Sequence, residues 1–390
     1  GGGSGPAPAM AAAFLRGCWP WQLAVGLVYW SLARLRVLET IDARPVRGDR
    51  EQMLRYCNEV RARGSSGELK DGSMRRQWQF QMLKEGAPQR ALEAMEDFPE
   101  DAALHSACIG ALCAVALFNA GTERSLLELG ALSSVLVSGL GFVHDPNVTS
   151  VAAASLGCLA DEYFGARVSL MRIGGPQFAV DTWDRYPDKP NVLFGACALV
   201  AGMCYDHPAG KQRFIENGFV QRGLQGIRDF PNSGDRVREE VMQAFNALSG
   251  RPPVASAQER MMQLGALEGV LTVLRENNDD MTTLTNANRV VHNFAMQNKS
   301  YRAAMAEAGV PELLASQLGA FDASKAWASY VDVDVTAVTA LLELAKGDRS
   351  EDGTKRRLLR AGVPEKVQEA MKKRPRHEHL AKIGNALLSR

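Results

Sequence analysis

The chain has 390 residues, and 46% of them are apolar, which is ordinary for a folded domain. Its 45 basic and 44 acidic residues leave a formal net charge of +1, which excludes a nucleic-acid-binding surface spread over the whole protein. A chain of this length exceeds a single compact core.

Residues 1–16 are predicted to be flexible. The stretch from Gly1 to Ala9 is rich in Gly, Pro and Ala without a helical period, so it is either flexible or ordered by a partner. The sequence begins at Gly1 rather than at Met, which is compatible with a processed terminus and with a cloning scar.

Residues 17–36 contain a lipid-like stretch. No charged residue occurs from 17 to 33, and a helix of that length spans about 25 Å, the short end of the membrane range. Aromatic residues lie near both ends and arginines follow, as at membrane interfaces. These features predict a single transmembrane helix. The residues expected to define it are Trp19, Trp21, Leu27, Tyr29, Trp30, Arg34 and Arg36.

Two alternatives stay open for this stretch, because Pro20, Gln22, Gly26 and Ser31 lower its apolarity. It could be a hydrophobic helix buried against a partner or in a groove of the protein itself. It could also be a leftover targeting segment.

The charges around the stretch predict an orientation. Arg16 stands alone before it, whereas several arginines follow closely. The positive-inside rule then puts the rest of the chain on the cytoplasm-equivalent side, which in an organelle is the matrix or stroma. The seven cysteines form no C-x-x-C pair, which indicates free thiols in a reducing compartment. We therefore expect an organellar membrane, with the mitochondrial inner membrane favoured over the plastid.

Residues 37–77 predict a charged connector that contains a helix from Arg50 to Arg63. Basic residues outnumber acidic ones there, so contact with anionic lipid headgroups is an option, although a solvated linker is favoured.

A glycine returns at nearly fixed intervals from about residue 80 onward. The intervals are 44, 44, 44, 47, 44 and 53 residues, between Gly86, Gly130, Gly174, Gly218, Gly265, Gly309 and Gly362. The side chain four residues before each glycine is apolar, and a proline often stands two residues after it. This pattern indicates an apolar-faced helix that ends at a left-handed glycine, followed by the first turn of the next helix. A period in the forties is typical of stacked helical repeats.

Each unit then reads as a short helix, the glycine, a second helix, a polar loop and a longer third helix, seven times over residues 78–390. The glycine period, the G-x-P turn and the three-helix spacing resemble the armadillo-repeat family. The resemblance implies an all-α fold, a right-handed α-solenoid of about seven three-helix repeats, here preceded by a hydrophobic N-terminal helix. Such a solenoid grows in one direction and is stabilised by stacking of neighbouring repeats.

The same resemblance suggests where a partner would bind. In armadillo import receptors, an Asn on each third helix, with a Trp four residues earlier, holds an extended basic peptide. Here the corresponding positions are Ala114, Cys158, Gly202, Asn246 and Asn293, with Asn385 a looser match. Met242 and Arg289, instead of Trp, precede the two internal asparagines.

Recognition of basic peptides in that mode is therefore disfavoured. The small residues suit a helix or an apolar segment packed in the concave surface. We predict a partner groove at Asn246, Asn293, Arg289 and Met242, so that repeats four to six contact the partner more than repeats one to three. The alternative is that the two asparagines merely tie neighbouring helices together.

Two of the intervals carry extra residues. The 47-residue interval contains Arg251-Pro252-Pro253-Val254, and the 53-residue interval contains residues 321–335 with Trp327. Extra residues in one repeat often emerge on the binding face, and structural loops without a role are equally compatible.

The sequence lacks the motifs of catalysis. The six histidines form no H-E-x-x-H pattern, and no G-x-S-x-G elbow, P-loop or dinucleotide glycine motif occurs. The basic run Lys372 to Arg376 resembles a nuclear-localisation tract, but it falls where the last repeat needs a polar loop. We expect no enzyme, no cofactor and no metal site.

The sequence favours a non-catalytic, membrane-anchored scaffold that serves as a structural or assembly subunit of a larger organellar membrane complex. Its expected partners are other protein subunits, and membrane lipid through residues 17–36, without nucleic acid. The alternative is a soluble armadillo adaptor that binds a peptide or helix in its concave groove.

Overall fold

The structure, a computed structural model, describes residues 45–66, 69, 72–231, 236–250, 252–276, 280–321, 332–346 and 354–389. The predicted membrane helix at 17–36 and the insertion residue Trp327 lie outside these ranges. Within them the chain forms helices and no strands. No helix in this part of the chain is long and apolar enough to cross a membrane.

The first half of the described chain contains eleven helices. They are α1 (Arg50–Gly64), α2 (Gly72–Lys84), α3 (Ala87–Asp97), α4 (Ala102–Ala116), α5 (Ala120–Glu128), α6 (Ala131–Gly141), α7 (Pro146–Cys158), α8 (Phe164–Ile173), α9 (Gly175–Arg185), α10 (Pro190–Cys204) and α11 (Pro208–Glu216).

The second half contains eleven more. They are α12 (Phe219–Asp229), α13 (Val237–Ser249), α14 (Ala255–Gln263), α15 (Ala266–Glu276), α16 (Met281–Gln297), α17 (Lys299–Glu307), α18 (Val310–Gln317), α19 (Val333–Leu344), α20 (Thr354–Arg360), α21 (Val363–Lys373) and α22 (Glu378–Leu388).

Helices α2 to α22 form seven consecutive three-helix repeats, which confirms the predicted fold. Equivalent helices pack on each other along the stack, so the third helices α4, α7, α10, α13, α16, α19 and α22 form one continuous layer. The apolar position four residues before each glycine lies in the core. Its occupants are Met82, Leu126, Leu170, Phe214, Met261, Met305 and Leu358, all buried.

The periodic glycines end the first helices as predicted. All seven have positive φ, between 67° at Gly362 and 104° at Gly174. In this left-handed region a residue with a Cβ is strained, and a β-branched residue most of all. The glycine period therefore marks the turn between the first and second helix of every repeat.

Gly309→Val is expected to destabilise the protein by more than about 1 kcal/mol, because valine resists a φ of 84°. A Cβ at Gly309 would have open space around it, with only the Glu312 carboxylate near. The loss of stability at this site therefore measures backbone strain without side-chain clashes. Gly218→Val, at a φ of 80°, is the second test. Melting temperatures unchanged in both variants would contradict the role assigned to the glycines.

Helix α1 belongs to the packed structure, which therefore begins before the predicted boundary at residue 78. Met53, Tyr56, Cys57 and Val60 are buried on one face of α1, against α4. Arg47 Nε also pairs with Asp97 Oδ2 at 3.1 Å, at the end of α3. The predicted connector helix thus acts as an extra third helix that covers the first repeat.

Adjacent third helices approach most closely at α7 and α10. A Cβ at Gly157 would lie 2.5 Å from Ala198 O, and one at Gly202 would lie 2.3 Å from Gly157 O. At Gly195 it would lie 2.5 Å from Ser150 O. Because these contacts are with backbone atoms, glycine is required where the two helices cross. The layer of third helices is therefore the tightly spaced side of the stack.

Candidate partner-binding surface

The third helices leave one side open to solvent. Each of them packs on the second helix of its repeat and on the neighbouring third helices. The remaining side faces away from the other two layers. Partly exposed residues in the middle of α4, α7, α10, α13 and α16 therefore form a continuous surface, which we call the inner surface.

The third helices in the N-terminal half of the inner surface carry no charged residue. Helices α4, α7 and α10 contain no Asp, Glu, Lys or Arg. Their partly exposed positions carry small or apolar side chains, at roughly one-turn spacing on each helix. These are Cys113, Val151, Ala154, Cys158, Phe194, Ala198 and Ala201. These three helices bring no group that would pair with a charged ligand, and the nearby cation is Arg236, whose guanidinium lies 5.3 Å from the centre of the Phe194 ring. Small side chains let another backbone come near.

The C-terminal half of the inner surface carries amides and one cation. Asn246 on α13 and Asn293 on α16 are partly exposed. Asn293 Nδ2 donates to Asn246 Oδ1 at 3.0 Å and to Ser249 Oγ at 3.1 Å. Arg289 is also partly exposed, and its Nη1 donates to Asn286 Oδ1 at 3.2 Å. Two of the predicted groove residues thus lie in contact with each other.

Met242 does not belong to this surface. Its side chain is fully buried, with a relative exposure of 0%. The prediction placed it on the face of Asn246 because it lies one turn earlier. However, a third helix is covered on several sides, and Asn246 reaches sideways to its neighbour α16. Gly202 likewise serves the crossing of α7 and α10, rather than a space for a partner.

Replacing Asn246 and Asn293 together by Ala separates two roles for the pair. If they hold a partner, binding is expected to weaken while the melting temperature changes by only a few degrees. If they tie α13 to α16, the lost hydrogen bonds cost about 1–2 kcal/mol and binding persists. Co-purification and a thermal melt on the same variant distinguish the two outcomes.

A repeated polar position binds the ends of third helices, and it corresponds to none of the motifs considered above. Seven residues before each glycine stands a polar or charged residue. Most of these side chains are buried although they lie on amphipathic first helices. We call them the clip residues: Gln79, Glu123, Arg167, Lys211, Gln258, Arg302 and Lys355.

Five of the clip residues donate to backbone carbonyls at or just beyond the ends of third helices. Gln79 Nε2 donates to Leu117 O at 2.9 Å, and Lys211 Nζ donates to Gly250 O at 2.7 Å and Pro252 O at 2.8 Å. Arg302 Nη1 donates to Ala295 O at 2.8 Å. The last carbonyls of a helix have no partner within the helix, so these donors satisfy them.

Two of these five join successive third helices. Arg167 Nε donates to Ala160 O at 2.8 Å, after α7, and to Gly202 O at 3.2 Å, on α10. Gln258 Nε2 donates to Ser249 O at 2.6 Å, on α13, and to Asn293 O at 3.1 Å, on α16. The clips therefore connect one repeat to the next at the end of the layer that carries the inner surface.

Glu123 accepts hydrogen bonds instead of donating them, and its chemistry explains why. Its carboxyl accepts from Tyr163 N at 2.7 Å and from Glu162 N at 3.0 Å. A carboxylate can only accept, so it sits where the turn after α7 presents N–H groups. Burial raises the pKa of Glu123 to about 7, although both backbone bonds oppose that shift.

Five apolar side chains lie exposed at the edge where third helices end and first helices begin. Each is 44–55% exposed, and the five fall in repeats one and three: Phe80, Phe118, Phe164, Val168 and Tyr205. Phe118 also has a φ of 59°, which is rare for a bulky residue. Its ring lies 5.7 Å from the guanidinium of Arg75. This edge is a second place where apolar contacts with another molecule are open.

The C-terminal basic run and the acids of the 53-residue interval bind each other. Arg374 Nη2 pairs with Asp332 Oδ2 at 2.8 Å, and His377 Nε2 lies 3.3 Å from the same oxygen. Gly319 N donates to Asp334 Oδ1 at 2.8 Å. Residues 374–377 form the loop between α21 and α22, so the end of the basic run lies in the polar loop that the last repeat needs.

Comparisons with solved structures give the fold. An engineered protein of the Northeast Structural Genomics Consortium superposes on 99% of this chain and 91% of its own, with a TM-score of 0.66 and 16% identity. A designed armadillo repeat protein in complex with the peptide (KR)4 matches 62% of this chain and 92% of its own, with a TM-score of 0.51 and 20% identity. Another designed armadillo repeat protein matches 63% and 94%, with a TM-score of 0.52 and 19% identity.

The chain folds as an armadillo-like repeat solenoid. No protein-family model and no curated protein matches it.

In the described ranges, no three His, Cys, Asp or Glu side chains come together in a group that could hold a metal ion. The acids of Asp161-Glu162-Tyr163 lie in the turn between α7 and α8. Burial raises the pKa of Asp161 to about 6, and Tyr163 N is already bonded to Glu123. These groups serve the turn.

Proposed function

We propose that this armadillo-like solenoid is a non-catalytic scaffold whose inner surface binds a helix or an apolar segment of another protein. The observation that carries the proposal is the absence of charged residues from α4, α7 and α10. An uncharged surface with small side chains favours a partner that buries apolar area, which is the dominant favourable term in protein association.

The same observation argues against a basic peptide as the partner. The designed armadillo protein among the comparisons was solved with (KR)4. Cationic side chains need nearby carboxylates to offset the loss of hydration. The middle of α4, α7, α10, α13 and α16 carries no acidic residue, since Glu239 and Glu240 lie in the first turn of α13 and are buried.

We also propose that residues 17–36 anchor the scaffold in an organellar membrane, with the mitochondrial inner membrane favoured and the solenoid on the matrix side. The uncharged stretch, its aromatic ends and the arginines that follow support this part of the proposal. The partner would then be another subunit of a complex in that membrane. A soluble adaptor with the same inner surface is the second candidate.

The inner surface is tested by Ala201→Arg, which places a charge on α10, one of the three helices without charged residues. Co-purification of partners from cells in mild detergent is expected to be lost. Ala209→Arg is the matched control, because Ala209 is exposed on the first helix α11. Equal loss with both variants, or no loss with Ala201→Arg, would contradict binding at the inner surface.

The anchor is tested separately by carbonate extraction of membranes. The full chain is expected to stay with the membrane, whereas a chain that starts at residue 45 is expected to be released and to keep its helical circular dichroism spectrum. Release of the full chain would favour the soluble adaptor. Unfolding of the shortened chain would show that the preceding residues belong to the solenoid core.

A further inference from the structure

A pair of buried cysteines joins the first helix to the first repeat. Cys57 on α1 and Cys108 on α4 are 51 residues apart in the sequence, and their Sγ atoms lie 3.1 Å from each other. Both side chains are fully buried, and both are free thiols. A disulfide bond is about 2.05 Å long, so an approach of about 1 Å brings the two sulfurs to bonding distance.

Helix α1 is the first helix of the described chain, and it has a third helix on one side. It packs on α4 and also contacts α3. Its exposed residues are mostly charged: Arg50, Glu51, Arg55, Asn58, Glu59, Arg61 and Ala62. A polar outer face is typical of the element that ends a stack of repeats. Helix α10, by contrast, packs between the third helices α7 and α13.

This position decides how solvent reaches the two thiols. Neighbouring units hold a repeat stack together, so an element at its end separates more easily than one inside it. When α1 lifts from α4, Cys57 and Cys108 meet solvent, and when it returns they come back into contact. Cys197 and Cys204 on α10 are just as fully buried. Because α10 is held on both sides, these two thiols are an internal control for access.

We propose that Cys57 and Cys108 form a redox-dependent cross-link that fastens α1 to the first repeat. The oxidant is a low-molecular-weight disulfide, which reaches the thiols when α1 lifts. In a reducing thiol pool the pair stays open, and α1 is held by packing and by ion pairs such as Arg47 Nε with Asp97 Oδ2. In an oxidising pool the cross-link restricts the detached form of α1 and so favours the docked one. The cross-link requires neither the membrane anchor nor a partner on the inner surface.

The reaction is two successive thiol–disulfide exchanges. The first protein thiol loses its proton, and its sulfur attacks one sulfur of the small disulfide, whose S–S bond breaks. The second protein thiol loses its proton and attacks the protein sulfur of this mixed disulfide, which forms the bond between Cys57 and Cys108. The two small thiolates that leave take up two protons. Two protein thiols are thus oxidised, and one small disulfide is reduced to two thiols.

The test incubates the reduced full chain, in mild detergent, with oxidised glutathione. Free thiols are then blocked by alkylation in denaturant, and peptides are mapped without reduction. A cross-linked peptide of Cys57 and Cys108 is expected, and dithiothreitol should release it. Cys197 and Cys204 are expected to be recovered as alkylated free thiols. Hydrogen exchange of the α1 amides should slow by at least about tenfold in the cross-linked protein.

Two variants test whether the reaction proceeds through the opening of α1. Met53 is buried on α1, and Met53→Ala is expected to speed cross-linking by about tenfold or more, because a lost buried side chain favours separation from α4. Met242→Ala is the matched control, since it removes an equally apolar side chain from the core at α13. It is expected to leave the rate of cross-linking unchanged.

Three results would overturn the proposal. The first is the absence of a Cys57–Cys108 cross-link from the wild-type chain, and this result does not depend on the folding of any variant. The second is modification of Cys197 and Cys204 at the same rate as cross-linking. The third is equal acceleration by Met53→Ala and Met242→Ala, because both of these would show that the thiols react only when the whole chain unfolds.

Discussion

Gly202→Ala is expected to destabilise the protein by about 3 kcal/mol or more. Its Cβ would lie 2.3 Å from Gly157 O and 3.0 Å from Gly157 Cα, both backbone atoms of the neighbouring third helix. Overpacking typically costs about 1–3 kcal/mol when side chains can move aside, and a backbone cannot. Helices α7 and α10 must therefore separate. Urea unfolding followed by circular dichroism measures the loss.

Gly141→Ala is the matched control for this prediction. Gly141 ends α6, and a Cβ there would have nothing within 4 Å. Alanine is expected to leave stability unchanged or to raise it by roughly 0.5–1 kcal/mol, because it restricts the unfolded chain. If Gly202→Ala loses no more stability than Gly141→Ala, the close crossing of α7 and α10 does not require glycine.

Lys211→Met is expected to cost about 2 kcal/mol. Lys211 is fully buried, and Met fills a similar volume without a donor. The substitution leaves Gly250 O, which now accepts from Nζ at 2.7 Å, without that partner in a buried place. Lys299→Met is the control, because Lys299 is exposed on α17. A Lys211→Met variant as stable as the control would show that the clip contributes nothing.

The effect of Lys211→Met on the free energy of unfolding is expected to grow with pH. Burial lowers the pKa of Lys211 to about 8, from 10.5. Between these values the unfolded chain binds the extra proton, so stability rises with pH. The contribution of Lys211 to the free energy of unfolding is therefore complete above pH 10.5, and it is lost as the pH falls through about 8. The difference in unfolding free energy between the wild type and Lys211→Met should widen from pH 8 to 10.5.

The sequence revealed the repeats because their turns depend on local chemistry. A left-handed turn selects glycine wherever it occurs, so Gly86 and Gly362 report the same geometry at opposite ends of the stack. Burial of the residue four positions earlier follows from the helical period. These features need no knowledge of neighbouring repeats.

The partner surface was harder to predict because it depends on those neighbours. Helical periodicity places Met242 on the face of Asn246, but it does not say which side of a third helix is left uncovered. The charge of residues 37–77 predicts a connector, although Met53, Tyr56, Cys57 and Val60 follow the spacing of one buried face of α1. The apolar spacing of α1 is therefore visible in the sequence, but the many charged residues of the segment favour a solvated linker.

The position of the clip residues can be found in the sequence, but their burial cannot. Their phase relative to the glycines is constant, so a search for polar residues at one position of every repeat would have found them. Polarity on a short surface helix ordinarily predicts exposure, and only the structure shows that Gln258 lies against two helix ends.

The clips also define which piece of the chain could be transplanted into another solenoid. A segment cut from one periodic glycine to the next would carry Gln258 without Asn293 O, or Arg167 without Gly202 O. At the boundary with the host solenoid, a buried polar side chain would then lack one of its hydrogen-bond partners. A segment that runs from the start of one third helix to the end of the next keeps both bonds of Gln258, or both bonds of Arg167, together. For this protein the natural module for recombination is therefore that longer piece, rather than the interval by which its sequence repeats.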